Sequence, residues 1–442
     1  MLKKLWCVIM SNTSNNKNDD AWETIFSKYD ILHEINKNAC FEISSQQMKE
    51  SGRDPRLMAK FDNSSSLPHI FKENNLSILP ISRGKYIISN IDTYHSFESN
   101  TSKIYNFALP NYLQSLDATL ISSESIALNC AFASNILEDF LGEEELCATV
   151  NGRMTSGVFS FKIRNSKIQS TLKVDVNNAQ IEIDAGYEGL NSLSIIEAKL
   201  DLADDFIARQ LFYPFRLWES KIAKRVRPIF LVYSNGIFTL YEYTFFDKYD
   251  YNSLQLINMK KYSLEDTDIS INDIQQVASS AALLPEPNDI PFPQADKFDR
   301  IINLCEQLER KSLTQIDVTN KFLFASRQTN YYADAGRYLG LIYKEIDGSK
   351  SIYTLSDLGR KILKLNFKKR QLAYCNCVLQ HKIFRDVFNI SLQNGSIPSK
   401  DTIVSIMKSS GILNVRSEIT YSRRAQTVSS WVEWILKLQN AP

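Results

Sequence analysis

The chain has 442 residues, 44% apolar and 23% charged, and its 51 basic and 50 acidic side chains leave a net charge of +1. This is the composition of an ordinary globular protein with room for two or three domains. No apolar stretch reaches the roughly 18 residues that a membrane-spanning helix needs, so no membrane association is expected. Seven scattered cysteines, an odd number, favour a reduced, cytoplasmic protein.

The N-terminal part carries few local signals. Residues 1–20 end in the polar run "SNTSNNKNDD", which predicts a disordered lead-in. Residues 21–125 predict an α/β segment packed on the centre of the protein, with a strand pair at 77–89 that turns at Arg83-Gly84. The stretch "SGRDPRLMAKFD", 51–62, is basic and predicts a loop.

Residues 126–282 predict an α/β core with a mixed sheet. A helical pattern at 127–146 precedes several strand-like segments, and a second helical pattern covers 202–224. "YSNGIF" predicts a hairpin, because Asn235-Gly236 suits a two-residue turn that needs positive φ.

A proline-rich segment separates this core from the C-terminal part. Residues 283–298 hold four prolines and predict an extended linker. In 299–370, helices precede a hairpin that turns at Asp347-Gly348, and this is the element order of a winged helix. One of these helices is predicted at 326–342, with Ser326 as its N-cap.

Residues 371–442 predict a second winged helix, with helices at 399–412 and 421–438. The charge of this C-terminal part differs from that of the rest. Residues 301–442 hold 21 of the 51 basic but only 11 of the 50 acidic residues, so they carry +10 and residues 1–300 carry −9. Such a basic third favours an anionic partner, most commonly nucleic acid, although a solvated lysine-rich surface is an alternative.

The stretch "LSIIEAKLD" places Glu197 and Lys199 two apart on a mostly apolar strand, so both project from the same face. Asp184 ends the preceding strand-like segment, "AQIEID", and a glycine-containing turn follows it. A hairpin of this kind brings Asp184 and Glu197 together. Two carboxylates suit Mg²⁺, which activates water, and a lysine stabilises the charge of a phosphate under attack.

"ID", twelve intervening residues and "EAK" resemble the motif of the PD-(D/E)xK nuclease superfamily, here with Ile183-Asp184 where Pro-Asp is frequent. In "ARQLFYPFR", Gln210 and Tyr213 are similar to the glutamine and aromatic residue that follow the lysine strand in many members. The resemblance implies that Asp184, Glu197, Lys199 and Gln210 are catalytic and that Asp184 and Glu197 hold Mg²⁺.

The C-terminal domains extend this resemblance to type II restriction endonucleases. The implied fold is α/β, with a mixed-sheet, restriction-endonuclease-like core followed by two small α-rich winged-helix domains. The implied activity is Mg²⁺-dependent hydrolysis of double-stranded DNA at a specific sequence. The implied partners are DNA, a second copy in a homodimer and a DNA methyltransferase encoded nearby.

Several details of the site remain open in the sequence. Glu182 shares a strand face with Asp184, and Glu138 or Glu143 of the preceding helix are alternative sources of a further metal ligand. Asp175 is a less favoured first acid because it lies far upstream. A different interpretation makes Glu197 and Lys199 a surface ion pair on an edge strand and Asp184 a turn residue.

DNA contacts are predicted from the N-terminal side chains of the two recognition helices and from the two basic N-terminal segments. Arginines that contact phosphates alone, or a winged helix used for protein packing, are alternatives. The predicted residues are Arg327, Gln328, Asn330, Tyr331, Arg423, Arg424, Gln426 and Thr427 of the helices, and Arg53, Arg56, Lys60, Arg83 and Lys85.

Two other functions compete with a restriction endonuclease. One is a methylation-dependent or repair nuclease with the same chemistry. The other is a non-catalytic DNA-binding regulator with an inert nuclease fold, against which the complete set of Asp184, Glu197 and Lys199 argues.

Overall fold

The structure is a computed structural model and describes residues 17–98, 103–322, 326–348, 350–412, 415 and 417–439. For 320–322 and 326–329 it describes the backbone alone. As predicted, the protein is a mixed α/β structure with mixed sheets. None of the described helices is both long and apolar enough to cross a membrane.

The N-terminal segment begins with a helix at Lys17, so the last four residues of the predicted disordered lead-in are helical; residues 1–16 lie outside the described part. The helix forms because Trp22, Ile25 and Phe26 make one buried stripe. A short helix also interrupts the loop predicted at 51–62. The elements are α1 (Lys17–Lys28), α2 (Ile31–Asn38), β1 (Cys40–Ser44), α3 (Ser45–Lys49), α4 (Pro55–Ala59), α5 (His69–Glu73), β2 (Ser77–Ser82) and β3 (Lys85–Ser89).

The central region contains the predicted strands and the Asn235-Gly236 turn, with φ of 53° and 78°. The single helix predicted at 127–146 is instead two helices, because Asn135 has a left-handed φ of 64°. The elements are β4 (Tyr94–Ser96), β5 (Ile104–Asn106), α6 (Glu124–Ala133), α7 (Ile136–Leu141), β6 (Cys147–Thr155), β7 (Val158–Asn165), β8 (Ser170–Asn177), β9 (Gln180–Glu188), β10 (Ser192–Lys199), β11 (Asp205–Ile207), α8 (Arg209–Glu219), β12 (Arg225–Ser234), β13 (Ile237–Phe245), β14 (Leu254–Ser263) and α9 (Ile271–Ser280).

A seven-stranded mixed sheet, in the order β5-β14-β13-β12-β10-β9-β6, organises this region. β10 is antiparallel to β9 and parallel to β12, with α8 as the crossover. Side chains of β10 alternate between two cores: Ile195 packs with α8, whereas Ile196 packs with α6 and α7. A second, five-stranded sheet in the order β1-β3-β2-β8-β7 joins the N-terminal segment to the central region.

The C-terminal part starts with the element order predicted for a winged helix. Its three described strands, β15 (Leu313–Thr314), β16 (Ile342–Asp347) and β17 (Lys350–Leu355), form a sheet in the order β15-β17-β16. The helix predicted at 326–342 ends at Tyr338, since Gly340 has a φ of 72° and a strand follows. The elements are α10 (Phe298–Arg310), β15 (Leu313–Thr314), α11 (Gln315–Phe322), α12 (Ser326–Tyr338), β16 (Ile342–Asp347), β17 (Lys350–Leu355), α13 (Asp357–Leu363), α14 (Phe367–Leu379), α15 (Lys382–Asn394), α16 (Lys400–Ser409) and α17 (Glu418–Lys437).

The prediction of a second winged helix in residues 371–442 is wrong. Within the described part of 371–442 all elements are helices, and no strands are present to make a wing. Its residues also share one hydrophobic core with the first unit: Trp431 of α17 and Ile301 of α10 belong to the same buried cluster. The physical reason is that the apolar faces of α14 to α17 pack on one another and join the hydrophobic cluster of α10, rather than packing on a sheet of their own.

The proline-rich segment is not a free spacer. Phe292 and Ala295 are buried in the C-terminal core, and the N–H of Leu284 donates to the carbonyl of Gln380 at 2.9 Å. α9, which precedes the segment, buries Ile274 in the same core. The prolines prevent regular structure here, but the segment is still fixed by packing.

Candidate active site

The hairpin of β9 and β10 brings the two predicted acids together. Ile196 lies opposite Ala185 in the antiparallel register, so Asp184 faces the end of β10. Its Oδ2 accepts a hydrogen bond from the backbone N–H of Ala198 at 2.9 Å. Asp184 is thereby fixed beside the strand that carries Glu197 and Lys199, as the sequence predicted.

Glu197 is the centre of the site. It is only 7% exposed, and its Oε1 accepts hydrogen bonds from the Nζ of Lys199 and, at 2.6 Å, from the Nε2 of Gln210. Gln210 lies in the first turn of α8, which packs on the same face of the sheet. The structure therefore unites Asp184, Glu197, Lys199 and Gln210, which we call the acid–lysine cluster.

Burial and mutual charge shift the pKa values of these groups. Burial raises the pKa of Glu197 to about 7, although the adjacent Lys199 charge opposes the rise. Burial also raises the pKa of Asp184, against the hydrogen bond from Ala198. Burial would lower the pKa of Lys199, but the carboxylates of Glu197, Asp62 and Asp184 outweigh it and hold the pKa above its usual value. A divalent cation would stabilise the ionised carboxylates of Asp184 and Glu197, and the charge of Lys199 would oppose its binding.

The residues fit a Mg²⁺ ion. The Oε1 of Gln210 is buried and has no hydrogen-bond partner among the described residues, beside two carboxylates whose ionised forms are destabilised. Within the same described part, no three His, Cys, Asp or Glu side chains are grouped as a complete metal site. Two carboxylates are sufficient for Mg²⁺, because this ion keeps several waters and takes further oxygens from phosphate.

The cluster opens into a cavity of about 220 Å³, which we call the site cavity. Lys199 and Gln210 line it from the central sheet, while Lys60 and Asp62 line it from the N-terminal segment. Lys60 was predicted as a DNA contact, and among the described residues it is the one predicted N-terminal contact that lines this cavity. Asp62 was not predicted; its charge raises the pKa of both Glu197 and Lys199. The only signal in the sequence was its place two residues after Lys60.

Another acid that the sequence analysis missed is Glu124, the first residue of α6. Its charge, like that of Glu182, raises the pKa of Asp184, so both carboxylates lie near the cluster. Glu182 is exposed and pairs with Arg153 at 3.3 Å. The N-cap Ser123 was a sequence signal for a helix starting at Glu124.

The three other acids considered from the sequence lie outside β9 and β10. Glu143 accepts hydrogen bonds from Ser192 and from the N–H of Asn191, at the start of β10. That point is five residues before Glu197, roughly 17 Å along the strand, which is too far to share one metal. Asp175 is in β8 of the other sheet and pairs with Lys173 at 3.1 Å. Glu138 lies in α7, in the helix after the break at Asn135.

The predicted DNA contacts of the C-terminal part come together on two adjacent helices. Arg424 of α17 is half-buried, and burial lowers its pKa while the nearby Tyr331 of α12 opposes this change. Arg423 and Gln426 are exposed on α17. The side chains of Arg327 and Gln328 lie outside the described part of the chain.

The structure contradicts one of these predicted DNA contacts and limits another. Thr427 is fully buried and donates to Asp296 at 2.6 Å, so it does not face DNA. The Oδ1 of Asn330 accepts hydrogen bonds from Gln315 at 2.9 Å and from the hydroxyl of Tyr353 at 3.4 Å. This oxygen is therefore engaged in contacts within the C-terminal part.

The remaining N-terminal residues are spread over separate surfaces. Arg53 donates to Asn18 of α1 and is half-buried. Arg56 is exposed on α4. Arg83 and Lys85 are exposed at the turn between β2 and β3.

Comparison with known families divides the chain into three matched stretches. Models described as domains of unknown function match residues 19–88 (DUF6996), 89–263 (DUF6997) and 300–440 (DUF7226). The acid–lysine cluster falls in the second stretch, and Lys60 and Asp62 fall in the first. None of the matches reaches half of the chain, and no curated protein or solved structure matches it.

Proposed function

We propose that this protein is a Mg²⁺-dependent endonuclease of the PD-(D/E)xK type that cuts double-stranded DNA at a specific sequence, as type II restriction endonucleases do. The observation that carries the proposal is the acid–lysine cluster: Asp184 is bonded to the strand of Glu197, and Lys199 and Gln210 both donate to Glu197. A mixed sheet with helices on both faces and a basic helical C-terminal part also agree with it.

Each residue of the cluster has a distinct part in phosphodiester hydrolysis. Asp184 and Glu197 would hold Mg²⁺, which, when bound, lowers the pKa of a water and offsets phosphate charge. Lys199 orients the attacking water and stabilises the negative charge that builds up on the phosphate oxygens as the bond from phosphorus to the leaving oxygen breaks. Gln210 holds the Glu197 carboxylate in place, and the site cavity admits the phosphate next to Lys199 and Lys60.

The test is incubation of the purified protein with genomic DNA in Mg²⁺, with EDTA and with the Asp184→Ala variant as controls. A sequence-specific endonuclease gives discrete fragments in Mg²⁺ alone, and both controls leave the DNA intact. Parallel reactions on methylated and unmethylated DNA separate a restriction enzyme from a methylation-dependent nuclease. DNA that is bound but never cut would favour the inert regulator, and cutting that survives complete chelation would contradict the mechanism.

A further inference from the structure

The segment that follows Lys199 is held by α10 of the C-terminal part. Asn303 is fully buried; its Nδ2 donates to the carbonyl of Leu200 at 3.0 Å, and its Oδ1 accepts from the N–H of Leu202 at 3.4 Å. One turn later Gln307, 1% exposed, donates from Nε2 to Oδ1 of Asp201 at 2.6 Å. Two amide side chains therefore fix the three residues directly after the catalytic lysine.

The far end of the same segment is held by charge. Asp204 pairs with Arg300 at 2.6 Å and with Lys297, both at the start of α10. Asp204 is exposed, so these ion pairs contribute little to stability, but they set the course of the chain. Together with the two amides they attach segment 200–204 to α10 along its whole length, and Asp201 and Leu202 of that segment line the site cavity with Lys199.

α10 is also in contact with the helix proposed to read DNA. Tyr332 of α12 is buried, and burial raises the pKa of its hydroxyl. The charge of Arg300 and the backbone of Lys297 both oppose this rise, so both lie next to Tyr332. Apolar residues of α10 and α12, among them Ile301 and Ala335, share one core. A continuous set of packed groups therefore runs from α12 through α10 to the wall of the site cavity.

We propose that Asn303 and Gln307 are positioning residues that couple DNA recognition by the C-terminal part to cleavage. This inference rests on the proposed nuclease function. DNA held by α12 and α17 fixes α10, and α10 fixes segment 200–204 and with it the position of Lys199. A shift of about 1 Å at a reacting group lowers a rate roughly 10²-fold, so loss of these contacts acts on the chemical step rather than on binding.

The test exchanges the amide and the carboxylate between positions 307 and 201. For each variant, kcat and KM are measured in Mg²⁺ and DNA affinity is measured in Ca²⁺. Gln307→Glu places two carboxylates together and should lower kcat by roughly 10²-fold while KM and affinity stay near wild type. In the double variant Asp201→Asn/Gln307→Glu, the amide introduced at 201 donates to the carboxylate at 307, and kcat should recover at least tenfold. Gln276→Glu, which adds the same charge on the exposed face of α9, should behave as wild type.

The outcomes separate this inference from the function on which it rests. If the wild-type protein cuts no DNA, the nuclease proposal itself fails. If the wild type cuts and Gln307→Glu matches it, or if the double variant shows no recovery, the coupling is overturned while the nuclease proposal stands. Recovery in the double variant assigns the fall in kcat to the contact between positions 201 and 307, and an unchanged DNA-binding capacity of Gln307→Glu in Ca²⁺ excludes a loss of folded protein as its cause.

Discussion

Gln210 donates from its Nε2 to the Oε1 of Glu197 at 2.6 Å, and so joins the first turn of α8 to the strand that carries Lys199. Lys199 donates to the same oxygen, so the other carboxylate oxygen of Glu197 receives no hydrogen bond from either side chain. The glutamine therefore restricts the direction in which Glu197 offers its remaining lone pairs.

Gln210→Ala should lower the cleavage rate by about 10- to 100-fold, because groups that orient a metal ligand commonly contribute that much to affinity or activity. DNA affinity in Ca²⁺ should change less than the rate. Gln180→Ala, at an exposed position at the start of β9, is the matched control and should cut as wild type. Equal cleavage rates for both variants would show that Gln210 does not contribute to cleavage.

Metal affinity should depend on pH through Glu197. Its pKa is raised by burial to about 7, so below this pH the metal-free protein holds a proton that the metal must displace. Apparent affinity for Mn²⁺ should rise roughly tenfold per pH unit up to about pH 7 and then level off. Isothermal titration calorimetry from about pH 5.5 to about 8.5, in steps of about 0.5 pH units, measures the affinity for Mn²⁺. An affinity that does not change with pH would contradict the raised pKa of Glu197.

The same shift determines a stability change in the metal-free protein. The folded state holds the Glu197 proton more tightly than the unfolded state, whose pKa is near 4.5. The free energy of unfolding therefore falls as pH rises from about 4.5 to about 7, and this contribution should be absent in Glu197→Gln. Denaturant unfolding at several pH values checks the sign. A wild-type curve parallel to that of the variant would show that Glu197 titrates normally.

Glu124 and Glu138 give a matched pair of acids on successive helices. The charge of Glu124 raises the pKa of Asp184, so this carboxylate lies near the cluster and would add negative charge for Mg²⁺. Glu124→Gln should therefore lower activity at limiting Mg²⁺ more than at saturating Mg²⁺. Glu138→Gln should leave both unchanged. Cleavage rates across a Mg²⁺ titration decide between them, and a larger effect at Glu138 would point to α7 as the source of the further acid.

Arg423, exposed on α17, should contribute a phosphate contact. Arg423→Ala should weaken binding to all DNA sequences alike and reduce the salt slope by about 1. Lys437→Ala, at the far end of the same helix and paired with Glu433, is the control. Binding isotherms at several salt concentrations test this; equal slopes for wild type and Arg423→Ala would exclude the contact.

The acid–lysine cluster was predictable because its parts are close in sequence. Asp184, Glu197 and Gln210 lie within 27 residues on a hairpin and the next helix, whose patterns specify both type and direction. The additional walls of the site were not predictable in this way. Asp62 lines the site cavity and Gln307 contacts Asp201 in its wall, each from a segment more than a hundred residues away, and no local pattern predicts such contacts.

The predictions for Thr427, for a second wing and for the proline-rich segment differ from the structure, although local sequence patterns already pointed to part of the outcome. Thr427 and Trp431 are four residues apart and therefore on one helix face, so the burial of Trp431 already placed Thr427 inward. A second wing was predicted from resemblance to the first unit, although residues 371–439, as far as they are described, form only helices. The proline-rich segment lacks regular structure as expected, but its apolar Phe292 signalled packing.

Lys199 tests the account most directly. Lys199→Ala retains both carboxylates and every proposed DNA contact of the C-terminal part, and removes the charge proposed to stabilise the phosphate under attack. Lys173→Ala is the control, since that lysine also pairs with an acid but lies in the other sheet. The measurement is a cleavage time course in Mg²⁺ beside a gel shift in Ca²⁺. We predict a rate lower by roughly 10²–10³-fold with near wild-type binding; cleavage by Lys199→Ala at the wild-type rate would contradict the nuclease assignment.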